Sequence, residues 1–178
     1  ARLAVLGSGA VGVEFASIYR RFGSHVTVIE LQPRLVPHED AAVSRELARV
    51  FRKRGIDVRL GATLTRAEVV GDVVEIVTES DGQAHPLEVD VLLVATGRAP
   101  VTDGLGVEDV GLVTDRGYLV VDEVCRTNVP GISAVGDVIA IEGRAHPQLA
   151  HVSSAEGILV AERLAGLDVE PIDYDQVP

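Results

Sequence analysis

The sequence predicts an α/β fold in three layers, a parallel sheet covered by helices, with a small antiparallel β-meander as one of its crossovers. Three observations predict it. A strand, a glycine turn, a helix and a second strand follow one another within the first thirty residues. The apolar mass is Val, Leu, Ala and Ile, with only three Tyr, three Phe and no Trp, as expected of a sheet buried between helices. Short β-rich runs beyond Leu64 are broken by Gly71-Asp72 and by Ser80-Asp81-Gly82, which are hairpin signals.

Taken in order, Arg2 to Leu6 is a short buried strand that runs into the turn Gly7-Ser8-Gly9-Ala10-Val11-Gly12. Val11, Phe15, Ile18, Tyr19 and Phe22 then recur at the three- and four-residue spacing of an amphipathic helix, and Gly23 closes it as a left-handed residue. Val26 to Ile29 is the second strand, ending at Glu30. A second helix runs from Glu39 to Arg54 with the stripe Val43, Leu47, Val50 and Phe51. Glu39 and Asp40 fall in its first turn and Arg52, Lys53 and Arg54 in its last, complementing the helix dipole, and Gly55 stops it. Ile56, Val58 and Leu60 alternate as a third strand.

The runs Ala67–Val70, Val73–Thr78 and His85–Val89 form the meander, and Val91 to Ala95 returns to the parallel sheet. After Pro100 a Gly- and Asp-rich stretch leads to Gly117. Tyr118 to Val121 and Ile132 to Val135 read as two more strands. Ser153 or Ser154 caps a last helix carrying Ile158, Leu159, Ala161 and Leu164, with Gly166 at its end.

Composition bounds the function. The chain has 178 residues, 47% hydrophobic and 24% charged, an ordinary globular balance. Its net charge of −11 argues against a sequence-independent grip on nucleic acid or on an anionic membrane. The apolar runs fall far short of the roughly 18 residues a spanning helix needs. A single cysteine, Cys125, excludes an internal disulfide framework and a cysteine-based metal cluster, and reads as a packing residue rather than a nucleophile. The five histidines show no mutual metal spacing, so no metal site is expected. No secretory leader is recognisable, which makes a cytoplasmic setting the expectation. The absence of Met and the direct opening on an apolar strand give the expectation of a piece from a longer protein.

The chemistry concentrates in the glycine turn. A Gly-x-Gly-x-x-Gly between a strand and a helix, with an acid closing the next strand, is a dinucleotide-binding pattern of the Rossmann-like type. Gly7 allows the tight turn, Gly9 lets the backbone approach a pyrophosphate lying at the helix N-terminus, and Gly12 lets helix and strand pack closely. Glu30, 18 residues after Gly12, is placed to accept hydrogen bonds from an adenosine ribose and to repel a 2′-phosphate, which favours NAD over NADP. Arg34 is the nearby group that a 2′-phosphate site would use. Glu14 has two readings, an acid stabilised by the helix dipole or a functional carboxylate.

Two further runs extend the pattern. Ala95-Thr96-Gly97-Arg98-Ala99-Pro100 follows the apolar strand. Thr127-Asn128-Val129-Pro130-Gly131-Ile132-Ser133-Ala134-Val135-Gly136-Asp137 and then Leu149-Ala150-His151-Val152-Ser153-Ser154-Ala155-Glu156-Gly157 come later. With Gly7-Ser8-Gly9-Ala10-Val11-Gly12-Val13-Glu14, the whole chain resembles the pyridine nucleotide–disulfide oxidoreductases, most of all their dihydrolipoamide-oxidising branch.

The resemblance implies a hydride passed between NAD, FAD and a dithiol or disulfide. It makes Gly7 to Glu14 the NAD turn, with Glu30 on the ribose, Leu64 lining the adenine side and Gly97 letting the backbone pass close to the dinucleotide. Glu14 would lie near the flavin–nicotinamide junction. Gly136 and Asp137 match the second flavin motif, whose Asp bonds the ribityl hydroxyls of FAD. Gln148, Leu149, Ala150 and His151 would present backbone groups and a helix N-terminus to the isoalloxazine.

In the family the flavin turn precedes the entire NAD domain, so the 129 residues from Gly7 to Gly136 make Gly7 the NAD turn. The resemblance also implies residues 1–104 as most of the NAD-binding domain, 105–178 as a return to the FAD-binding domain, a homodimer, and a 2-oxoacid dehydrogenase complex as partner. The family's paired cysteines and His–Glu pair do not occur in this sequence. Val138 to His146 is longer than the family's usual loop. Two rivals stay open, another NADH-dependent flavin disulfide reductase or NADH oxidase, and a non-catalytic NAD-binding redox sensor.

Overall fold

The first strand, β1 (Arg2–Leu6), is buried at Leu3, Ala4 and Val5 because strands flank it and other layers cover both its faces. The computed structural model describes residues 1–141 and 146–177. The chain divides into two units, Ala1–Gly97 and Arg98–Pro178.

In the first unit β1 is followed by α1 (Ala10–Arg21), β2 (His25–Glu30), α2 (Ala41–Lys53) and β3 (Ile56–Leu60). Then come β4 (Thr63–Val70), β5 (Val73–Ser80), β6 (Gln83–Val89) and β7 (Val91–Val94). The sheet order is β3-β2-β1-β7 with every pair parallel. The meander β4-β5-β6 is antiparallel throughout. Asp81 and Gly82 both take positive φ, 51° and 70°, as a type I′ hairpin turn requires.

Side-chain alternation along the strands makes two cores. Leu3, Val5, Val26 and Val28 pack with Ala16, Ala48 and Phe51 on the helical face. Ala4 and Ile29 pack with Ile76 and Val89 of the meander on the other. The three layers are therefore helices, parallel sheet and meander, as the sequence predicts.

Local expectations are corrected in two helices. In α1 the buried residues are Gly12 and Ala16, while Val11, Phe15, Ile18, Tyr19 and Phe22 lie outward, Phe22 at 78% exposure. Small residues are needed against the sheet because the helix lies directly on the glycine turn, so the apolar stripe marks the outer face. In α2, Asp40 is the N-cap, its side chain accepting the Ala42 N–H at 2.6 Å, and not a first-turn acid. Ser44, Ala48 and Phe51 are its buried residues and Val43 is exposed.

The second unit holds β8 (Thr114–Asp115), β9 (Tyr118–Val121), β10 (Ile139–Ile141) and α3 (Ala150–Leu164), with sheet order β10-β9-β8. The expected strand at Ile132 to Val135 does not form. Only Ser133 bridges, to Arg126, and the Gly131 and Gly136 turns at either end (φ 86° and 82°) break the run. The strand lies three residues beyond that second turn, at Ile139. Helix α3 starts at Ala150, ahead of the expected serine caps; Ser153 and Ser154 instead return their hydroxyls to the carbonyls of Leu149 and Ala150. Of the stretch Val138 to His146, residues 142–145 lie outside the described residues.

A Cβ on Gly12 would stand 2.1 Å from the Gly7 carbonyl oxygen. Gly12→Ala must therefore push α1 off the turn, at an expected loss of about 1–3 kcal/mol in urea unfolding. An unchanged midpoint would show that the helix is free to shift.

Candidate functional site

The glycine turn is assembled by backbone geometry first. Gly7 has φ +98°, and a Cβ there would meet the Ala95 carbonyl oxygen at 2.5 Å, so β7 and the turn touch through backbone. Gly7 N–H donates to the Ile29 carbonyl at 2.8 Å, anchoring the turn to β2. Gly9 is the N-cap of α1 and supplies no side-chain cap. The first N–H groups of the helix, from Ala10, Val11 and Gly12, have no intrahelical acceptor and carry the positive end of the dipole. Nothing lies within 4 Å of a Cβ built on Gly9. The cradle is therefore open to a phosphate, and a larger side chain would fill it.

Glu30 sits at the end of β2, 7% exposed. Its Oε2 accepts from the Ser8 N–H at 2.8 Å and the Ser8 hydroxyl at 2.7 Å, and its Oε1 from the Gln32 N–H at 2.8 Å. Burial by itself raises this carboxyl's pKa. The three bonds from Gln32 and Ser8, with a smaller contribution from the nearby Leu31 N–H, outweigh it and hold the group below its ordinary value of 4.5. A carboxylate offers about four lone-pair sites. Three are engaged by these donors, so Glu30 keeps accepting capacity while bracing the turn. Arg34 donates to the Pro37 carbonyl at 2.5 Å, which draws its guanidinium into its own loop.

Other expected residues fall in varied settings. Val13 is half-buried against the helical core, and Glu14 is exposed in the second turn's worth of residues after Gly9. Leu64, in β4, packs with the meander core. Gly97, with φ +122° and no neighbour within 4 Å of a built Cβ, is exposed.

In the second unit Gly136 and Asp137 begin a 3₁₀ turn, Gly136–Val138. Asp137, partly exposed, is ion-paired with Arg98. Arg98 also donates to the Gln148 carbonyl at 3.2 Å, so one guanidinium joins two of the expected flavin contacts. Gln148 has φ +54°, and its amide donates to the Tyr118 hydroxyl at 3.3 Å. Leu149 is the N-cap of α3 without a side-chain cap, and Ala150 and His151 are exposed at that helix start. Arg98 lies within the Ala95–Pro100 motif, but nothing in the sequence marks it as the partner of Asp137, 39 residues later. Nor does any local spacing signal the roles of Ser8, His146 and Glu156.

Cys125 is buried, and burial with the nearby charges of Glu156 and Asp122 pushes its thiol up to about 11, against nucleophilic use. Among the described residues no helix is long and apolar enough to cross a membrane, and no cluster of metal-ligating side chains occurs.

The profile of the family described as Pyridine nucleotide-disulphide oxidoreductase matches residues 1–157. The chain is 42% identical to a dihydrolipoyl dehydrogenase of Cupriavidus necator, covering 99% of this chain and 36% of that protein. It superposes on LpdA of Mycobacterium tuberculosis with a TM-score of 0.85 at 35% identity, covering 99% of this chain and 37% of the other. The HOCl-induced flavoprotein disulfide reductase RclA of Escherichia coli gives 0.83 at 34% identity, over 96% and 37%. The chain thus spans little more than a third of the length of these relatives.

A group whose pKa is depressed in the fold stabilises it above its unfolded pKa, and that contribution is lost as pH falls through the folded pKa. Glu30 is therefore expected to support the turn fully at neutral pH and to lose that contribution in acid, below 4.5. Ser8→Ala should move the Glu30 titration back up, followed by carboxyl NMR, and cost about 1.5–3 kcal/mol at pH 7. An unmoved titration would show that Ser8 does not hold the acid.

Proposed function

The chain belongs to the pyridine nucleotide-disulphide oxidoreductase family, and from that premise we propose that it carries the NAD(H) site and part of the FAD site of a dihydrolipoyl dehydrogenase. The observation that carries the proposal is the open glycine turn braced by a buried acid at the end of the next strand. Names of relatives support the choice of substrate, dihydrolipoamide. Residues 1–104 serve as NAD-binding domain and 105–178 as the segment contributing to flavin binding, in a cytoplasmic homodimer able to join a 2-oxoacid dehydrogenase complex.

In this assignment the N–H groups at the start of α1, with Gly7, Ser8, Gly9 and Gly12 shaping the turn, hold the NAD pyrophosphate. Glu30 accepts from the adenosine ribose, Leu64 borders the adenine, Gly97 gives clearance, and Val13 and Glu14 face the nicotinamide side. Asp137, steadied by Arg98, accepts from the ribityl hydroxyls, and Gln148 to His151 offer backbone to the isoalloxazine. FAD, when bound, supplies the hydride relay between a dithiol and NAD. Cys125, buried and with its thiol pushed up, is unsuited to the dithiol step, which in this assignment uses cysteines beyond these 178 residues.

Titration of the complete gene product with NADH and NADPH tests the first half. NADH should bind about tenfold or more tightly, since a 2′-phosphate beside Glu30 leaves like charges unpaired. Glu30→Ala should narrow that ratio; equal affinities in the unmodified protein would sink the Glu30 assignment.

Gly9→Val has room in the apo fold, with φ −64° and no neighbour near its Cβ. It should preserve the melting temperature while abolishing NADH binding. Normal binding would make the turn purely structural, and absence of dihydrolipoamide–NAD turnover in the flavin-loaded protein would overturn the substrate assignment.

A further inference from the structure

The second unit contains a buried polar cluster that the assignment above leaves unused. Glu156, on α3, is 0% exposed. Its Oε2 accepts the Gly136 N–H at 2.6 Å. Its Oε1 takes His146 Nε2 at 2.7 Å and the Tyr174 hydroxyl at 2.9 Å. The imidazole is fixed from its other side, because Nδ1 accepts the Gln148 N–H at 3.1 Å. That leaves Nε2 to carry the proton toward Glu156. The His146 side chain is 4% exposed, so the His146–Glu156 pair is screened from water.

The consequence is geometric. Gly136 has φ +82° and immediately precedes Asp137; its N–H is one that the turn itself does not satisfy. Gln148 has φ +54°, an uncommon conformation for a non-glycine residue, and its backbone is held through His146. One buried carboxylate therefore reaches both segments assigned to flavin, the Asp137 turn directly and the Gln148 loop through an imidazole. Tyr174 ties the C-terminal 3₁₀ turn, Tyr174–Gln176, to the same oxygen.

We propose that Glu156 is a positioning residue for the flavin half-site, acting through Gly136 and His146 to set the directions of Asp137 and Gln148. It touches no cofactor itself, and the proposal rests on the flavin assignment made above. All three of its partners are donors, and a carboxylate is an acceptor only. Glu156→Gln keeps the shape but places an amide NH₂ against at least one donor. Either the Gly136 N–H or the His146 Nε2–H must then let go, while the Tyr174 hydroxyl can turn to accept.

The test uses the complete gene product, with FAD retention, the visible circular dichroism of the flavin, amide exchange of Gly136 and Gln148, and NADH affinity measured side by side. Glu156→Gln should weaken FAD binding about tenfold or more, alter the flavin dichroism and speed exchange at both amides. NADH affinity, set by the first unit, should stay within about twofold. Tyr174→Phe removes a single donor and retains the fold, and should give a smaller loss of FAD in the same direction. Unchanged FAD affinity and dichroism in both variants would overturn the proposal. So would parallel losses of FAD, NADH and melting temperature, which mark a residue that only holds the fold. An unmodified protein that retains no FAD overturns the flavin assignment itself, an outcome visible before any variant is made.

Discussion

The approach of α1 to the turn beneath it governs the first unit. Gly12 lies so close to the Gly7 carbonyl that no side chain fits between them, and Gly7 leaves no room for one against the backbone at Ala95. These two contacts dock the start of a helix against the ends of β1 and β7. They fix where its unpaired N–H groups point, which is the property an anion site needs. Neighbouring features follow from the same closeness. The buried face of α1 is reduced to Gly12 and Ala16, and the large apolar residues are displaced to the outside.

Glu30 adds an electrostatic lock to that steric one. It ends a strand whose residues from Val26 on are buried, and it would be costly there without donors. Ser8 and Gln32 supply them. The acid is thus doubly constrained, by the turn it braces and by the strand it terminates, with lone-pair capacity left for a hydroxyl. A carboxylate held this way is pre-organised by its own donors.

Much of this was legible in the sequence because strong local signals coincided. Short apolar runs mark β1 and β2 and alternation marks β3, the Gly71-Asp72 and Asp81-Gly82 turns mark the meander, and Gly23 and Gly55 end the helices where expected. The failures have physical causes. Periodicity finds a helix but not which side is covered, so the stripe from Val11 to Phe22 pointed to the wrong face of α1. A short apolar run between two turns, Ile132 to Val135, lacked partners to pair with. The serines of α3 bond back to carbonyls inside the helix, a choice that composition does not reveal. Side-chain partnerships across long separations, such as Arg98 with Asp137 or His146 with Glu156, leave no spacing to read.

The two units use one device at their glycine turns. In the first, a buried glutamate 22 residues downstream accepts the N–H of the residue after Gly7; in the second, a buried glutamate 20 residues downstream accepts the N–H of Gly136. A glycine turn leaves backbone N–H groups that strand or helix pairing does not satisfy. An acid brought from a later element satisfies them from the buried side instead, and charge-assisted bonds to backbone N–H groups are among the stronger ones available. The cost is a carboxylate in the interior, held only by its full complement of donors. That condition explains why both acids are surrounded: Ser8 and Gln32 for one, His146 and Tyr174 for the other. In each unit the turn's backbone N–H and the buried charge of the acid satisfy one another.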